Sequence, residues 1–169
     1  MLAETECADF VISRVFDAPR DLVWRCFAEP ERMKEWFGPK GSTIVASKMD
    51  LRVGGTYLGA MRDPGGRVMW AKFVYREIVA PERLVWVHSF SDEAGGLTCH
   101  PLSATWPLEL LTTVTFEDAP GGKTNVTIRW SPLNATAEEN KTFDAARDGM
   151  TQGWSGTFER LAAYLTNTK

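Results

Sequence analysis

Apolar residues recur along this chain with two different periods, and the switches between them outline its elements. Phe10, Ile12 and Val15 alternate with polar neighbours in the stretch 9–16, which predicts a first strand. Leu22, Val23, Cys26 and Phe27 then recur at helical spacing and predict an amphipathic helix over 20–29. Asp17 is available to cap it, and Pro19 to set its first turn. Pro30 breaks that helix; a second short one is expected over 31–36, closed by Phe37-Gly38-Pro39. From Thr43 the period is that of strands, predicted over 43–49, 56–62, 68–79, 84–90, 108–117 and 124–130. Turn chemistry separates them: Asp63-Pro-Gly-Gly66 and Ala119-Pro-Gly-Gly122 read as hairpin turns, Pro81-Glu82 as a further reversal. Gly54-Gly55 marks a turn or bulge that needs an unusual backbone. The stretch 91–107 is longer than the other connections and is expected to be an excursion between strands.

Beyond Glu138 the period is helical again. Phe143, Arg147, Met150, Trp154, Phe158, Leu161 and Leu165 fall mostly three or four apart, predicting a single stripe on one helix of about seven turns. Glu138 and Glu139, just after Ala135-Thr136, put negative charge where the helix dipole favours it. Gly149, Gly153 and Gly156 sit inside this helix, each costing ~1 kcal/mol against Ala. Three such residues imply a close backbone approach, a bend, or room left for something large. The element order gives an α+β helix-grip fold. A curved antiparallel sheet of six to seven strands wraps on a long C-terminal helix, with two short helices after the first strand. One domain is expected over 1–169, with its core at about 9–166. The last helix is the only element long and apolar enough to cover the sheet, and a helix laid across a curved sheet leaves a wedge of space near one end.

Bulk properties narrow the function classes. The 169 residues are 44% hydrophobic and 24% charged, which is globular rather than disordered. The net charge of −3 is spread without a basic block, which argues against nucleic acid or an anionic membrane surface as partner. No apolar run approaches the ~20 residues of a membrane span, and MLAETECADF at the N-terminus lacks the pattern of an export signal. Cys7, Cys26 and Cys99, odd in number and far apart, read as free thiols of a reducing cytoplasm. His88 and His100 are the only histidines; Cys99-His100 lacks a second ligand pair at metal-binding spacing, and no HExxH, GxSxG, P-loop or GxGxxG stretch is present. No metal or cofactor is therefore expected.

Period-two alternation drafts the inward face. The expected lining of a ligand cavity is Tyr57, Met61, Trp70, Trp86, His88, Phe116 and Trp130 from the strands, with Met150, Trp154 and Phe158 from the helix. An aromatic lining with few polar groups suits a flat apolar ligand positioned by one or two hydrogen bonds. The same pattern is equally compatible with rings that fill the space completely. His88 shares a predicted strand face with Leu84, Trp86 and Phe90, so it points inward. No residue is assigned as catalytic. Arg76 or Glu77, one strand away, are the candidates to partner His88, but Phe73, Tyr75 and Ile78 do not fit one alternation, which leaves open which of the two faces inward.

Several segments also carry a family resemblance: FDAPRDLVWRCFAEPERMKEWFGP (16–39), DLRVGG (50–55), YREIVAPERLV (75–85), VTFED (114–118) and GWSGTFERLAAYL (153–165). Together they resemble the activator-of-heat-shock-ATPase-like group of the SRPBCC superfamily, which also holds lipid-transfer START domains, birch-pollen-allergen-like proteins and polyketide cyclases. The resemblance implies the helix-grip fold with a central cavity. Its motifs are strand ends, turns and helix packing positions, so they report architecture rather than chemistry. Three functions are compatible with it. The first is a binding protein for a small hydrophobic or aromatic ligand; the second is a cyclase- or hydrolase-like enzyme using His88 as acid or base. The third, implied by the group's name alone, is a chaperone-interacting domain. The segment CHPLSATWPLEL (99–110) reads as a loop, or as a cap over the cavity mouth.

Overall fold

The computed structural model describes residues 7–101 and 103–168. The stretch 1–6, part of the segment that reads as lacking an export signal, lies outside the described residues, as do Leu102 in the long connection and Lys169. Strand β1 (Phe10–Phe16) leads into helices α1 (Arg20–Ala28) and α2 (Pro30–Met33). Strands β2 (Thr43–Met49), β3 (Thr56–Arg62), β4 (Val68–Val79), β5 (Arg83–Ser91), β6 (Leu97–Thr98), β7 (Leu110–Ala119) and β8 (Lys123–Pro132) follow, and helices α3 (Ala137–Ala145) and α4 (Arg147–Thr168) complete the order. Every ladder is antiparallel, in the sheet order β1-β8-β7-β5-β4-β3-β2, with β6 pairing on β5. This is the α+β helix-grip arrangement: a bent sheet whose inner face is covered by helices.

The sheet bends at two bulges. One is in β2 between Ile44 and Ala46; the other, in β4, inserts Arg76 between Tyr75 and Glu77. The second explains the broken alternation. Tyr75 pairs with Trp86 and Glu77 with Val85, so Phe73 and Tyr75 face the core before the extra residue and Ile78 after it. Gly54 and Gly55 hold the bulge in place. Gly54, at φ 84°, donates its N–H to the Tyr75 carbonyl at 2.8 Å, and the Gly55 carbonyl accepts from the Tyr75 N–H at 3.0 Å. A side chain at Gly55 would collide with the Asp50 carbonyl oxygen.

Helix α1 starts after Pro19, which occupies the N-cap position expected for Asp17 and whose carbonyl accepts from Leu22 and Val23. Helix α2 occupies Pro30–Met33 only, short of the expected 31–36. The predicted single C-terminal helix is two helices. At Ala146 (φ −95°, ψ 6°) the chain leaves α3, its N–H bonded to Phe143 O, and restarts as α4. No Gly or Pro marks the junction. The Arg147 guanidinium hooks the backbone oxygens of Ala8 and Asp9 and pairs with Asp144, which ties the N-terminal segment to the start of α4.

The core under the sheet is filled at one end. Helix α1 packs on β7 and β8 and drives Trp24 and Phe27 edge-on against Phe116, with centroids 5.3 and 5.2 Å apart. Phe16 meets Phe158 in the same edge-on manner at 5.4 Å. Such ring pairs add ~0.5–1.5 kcal/mol each beyond their buried area. Two polar groups there are satisfied by backbone carbonyls: Trp36 Nε1 donates to Cys26 O at 3.1 Å, and Thr124 Oγ1 to Ala18 O at 2.7 Å.

Candidate functional site

At the opposite end, under the N-terminal half of α4, the space is not filled. A cavity of about 440 Å³ lies between α4 and strands β3, β4 and β5. Its walls also take Phe37, Gly38 and Pro39 from the connection after α2, Trp130 from β8, and His100 and Trp106 from the β6–β7 connection. This volume is within the ~300–1,000 Å³ usual for small-molecule sites.

Eight of the ten residues named from sequence stand on its wall: Tyr57, Met61, Trp70, Trp86, His88, Trp130, Met150 and Trp154. Phe116 and Phe158 do not. They point at the same face of the sheet, but α1 inserts Trp24 and Phe27 over Phe116, and Phe16 covers Phe158, so both belong to the filled end. Sequence reasoning left out Phe73, which the Arg76 bulge hides from alternation. It also left out His100 and Trp106, which lie on an aperiodic connection, and Gly149 and Gly153 as wall positions. The last pair had a signal: two helix-interior glycines four apart fall on one face.

The aromatic wall is continuous. Phe73 stacks on Trp86, centroids 4.5 Å apart and planes 13° from parallel, and meets Tyr57 at 4.9 Å. Trp130 meets Trp154 at 5.7 Å. Phe37 bridges Phe73 at 6.0 Å to Trp154 at 6.2 Å. Arg160 of α4 holds the Phe37–Pro39 segment in place, its guanidinium donating to Gly38 O at 3.1 Å and Pro39 O at 3.0 Å.

His88 sits within this wall. Its ring lies nearly parallel to Trp130 (5.9 Å, 19°), meets the edge of Phe73 (5.5 Å, 83°) and lies 5.7 Å from Phe90. It is deep in the fold yet keeps accessible surface, because that surface faces the hollow. Burial pulls its pKa down to about 4, helped by the charge of His100, whose own pKa burial also lowers. Burial pushes the Tyr57 hydroxyl up to about 12. At neutral pH these groups are uncharged, and among the described residues no Asp, Glu, Lys or Arg lines the cavity.

Neither expected partner of His88 reaches the site. Arg76 is the exposed extra residue of the bulge, and Glu77 pairs with Arg83 on the neighbouring strand. Among the described residues no group of three or more His, Cys, Asp or Glu could hold a metal ion. Cys7, Cys26 and Cys99 are free thiols, and burial pushes that of Cys26 up to about 11.

A family model described as Activator of Hsp90 ATPase homolog 1-like protein matches residues 17–166. The chain belongs to that family. Solved structures share its architecture. The Nitrosomonas europaea protein NE0264 is 26% identical, covering 99% of this chain and 97% of that one, with a TM-score of 0.74. Protein Ms6760 of Mycobacterium smegmatis is 23% identical, covering 95% of this chain and 92% of that one, with a TM-score of 0.76. An AHSA1 protein of Silicibacter pomeroyi is 17% identical over 96% of this chain and 100% of that one, with a TM-score of 0.72. The last two likenesses, at lower identity, speak for the fold alone. No curated protein matches the chain. The Activator of Hsp90 ATPase homolog 1-like family thus accounts for the sheet, the C-terminal helix and their order.

Proposed function

We propose that this protein binds a small, neutral, apolar or aromatic molecule in the cavity between sheet and α4. The observation that carries the reading is a hollow of about 440 Å³ lined mostly by aromatic, aliphatic and glycine positions, without one charged side chain among the described residues. Burial of a flat apolar surface against such a wall contributes ~25 cal/mol per Å² removed from water, and the rings add directional contacts. The absence of a lining cation disfavours fatty acids and other carboxylates, which would lose their hydration without gaining a counter-charge. Free thiols support a cytoplasmic setting, and no helix among the described residues is long and apolar enough to cross a membrane.

Tryptophan fluorescence is the direct test, because Trp70, Trp86, Trp106, Trp130 and Trp154 all border the cavity. Titration with neutral naphthols, flavonoids and fatty alcohols should give saturable quenching, with matched carboxylates binding less tightly. Flat titrations across the whole panel would leave the hollow idle and favour the chaperone-directed role that the family description suggests.

A further inference from the structure

We propose that His88 is the group that selects the ligand, by hydrogen bonding to a hydroxyl on an otherwise apolar ring compound. This rests on the cavity-binding reading above and adds a chemical class to it: phenols and related ring alcohols rather than hydrocarbons or acids.

Three observations converge on His88. First, no group among the described residues hydrogen-bonds its ring, whose contacts are the faces and edges of Phe73, Phe90 and Trp130. Interior polar groups are nearly always paired, so an imidazole deep in a core without a protein partner needs an explanation. Second, the ring is held from several sides. It is sandwiched near-parallel to Trp130 and against the Phe73 edge, on β5 between β4 and β7. A hydrogen bond from a group fixed in this way costs little side-chain entropy. Third, the accessible surface of the residue is turned to the hollow rather than to bulk solvent. The Trp86 indole N–H is also without a partner but is covered by protein; Tyr57 and His100 also border the cavity, and His88 is the polar group set between Phe73 and Trp130.

The chemistry that fits is narrow. Burial keeps the imidazole neutral near pH 7, so one ring nitrogen accepts and the other donates. A hydroxyl satisfies either nitrogen. A carboxylate satisfies only the donor and meets no cation on the wall among the described residues, and an ammonium meets no anion there. A hydrocarbon fills the space but leaves the imidazole without the water it would otherwise hold.

Isothermal titration of the full chain with 2-naphthol, 2-methylnaphthalene and 2-naphthoate tests this. The parent protein should prefer 2-naphthol over 2-methylnaphthalene by a factor of about ten, the effect of one satisfied buried hydrogen bond, and should bind 2-naphthoate least. His88→Phe should abolish that preference while leaving 2-methylnaphthalene within about a factor of two, since an aromatic ring of similar breadth is kept. Nitrogen-15 histidine spectra of the parent protein give a readout independent of any variant's folding. The His88 ring nitrogen resonances should keep the position of a hydrogen-bonded imidazole with 2-naphthol and move towards that of an unbonded one with 2-methylnaphthalene. Equal affinity for the two neutral compounds, or a preference that survives in His88→Phe, would overturn the proposal and leave the cavity reading standing. Binding of none of the three would overturn both.

Discussion

Gly153 lies inside α4, a place where glycine is normally a defect. A Cβ built on it meets no heavy atom within 4 Å, and the same holds for Gly149 one turn earlier. Both border the cavity. Replacing Gly153 by Ala adds one methyl group that touches no protein atom, so no steric cost offsets the gain in helix preference. That gain is about 0.5–1 kcal/mol, part of it from a less flexible unfolded chain. In a chain of this length it raises the melting temperature by roughly 1–3 °C. The same methyl intrudes on the space a ligand would occupy, so affinity for a neutral aromatic probe should fall while stability rises. Gly156 is the control. A Cβ there meets Lys40 Cγ at 3.4 Å, beside the Lys40–Glu159 ion pair of 3.1 Å, and Gly156 does not line the cavity. Gly156→Ala should leave binding unchanged. Thermal melts followed by circular dichroism, with 2-naphthol titrated against intrinsic fluorescence, measure both quantities on the same samples. Gly153→Ala that melts lower than the parent, or binds the probe as tightly, would refute the placement of this glycine on an open wall.

Two further expectations concern pH and capping. The His88 pKa falls from 6.5 to about 4 on folding, so between those values the unfolded chain binds the proton and the folded one does not. Stability is therefore complete above about pH 6.5 and is lost as the pH drops towards 4, by at most on the order of 3 kcal/mol, with His100 acting in the same direction. Urea unfolding at pH 7 and about pH 4.5 should show a smaller difference in His88→Phe than in the parent, and parallel losses would contradict it. At the start of α3, Thr136 Oγ1 accepts from the Glu139 N–H at 3.1 Å while the Glu139 carboxylate accepts from the Thr136 N–H at 3.0 Å. Thr136→Ala should cost about 1 kcal/mol in the same unfolding assay, and a change below about 0.3 kcal/mol would show the box to be ornamental.

Local chemistry made most of the fold legible. Alternation located the long strands within a few residues, and Asp63-Pro-Gly-Gly66 and Ala119-Pro-Gly-Gly122 do join neighbouring antiparallel strands. What escaped was set by distant partners. Nothing at Arg76 announces that it is the extra residue of a bulge; the cause is the Gly54-Gly55 hook on Tyr75, some twenty positions away, and its effect is to reverse which residues face inward. Nothing at Ala146 breaks a helix by propensity, and the reach of Arg147 to Ala8 and Asp9 is invisible to any window. Strand β6 is two residues of backbone pairing on β5 with no periodicity to display. The capping box is the opposite case, since Thr136-Ala137-Glu138-Glu139 spells its pattern openly and was passed over for the dipole. For the site, alternation selects the face of the sheet but not the position along it, which is why it assigns Phe116 to the cavity along with Trp130.

That position follows from where α1 lies. Trp24 and Phe27 descend onto the β7–β8 end and consume the space under the first half of the wedge, whereas the other half faces two glycines of α4 and a ring of large side chains lying along the wall. Larger apolar residues at Gly149 and Gly153 would recover helix preference and fill space together, so the simplest stabilising substitutions are the ones this sequence does not contain. The filled end and the open end are thus set by which helix lies over each: α1, with Trp24 and Phe27, over β7 and β8, and the glycine-bearing half of α4 over β3 to β5.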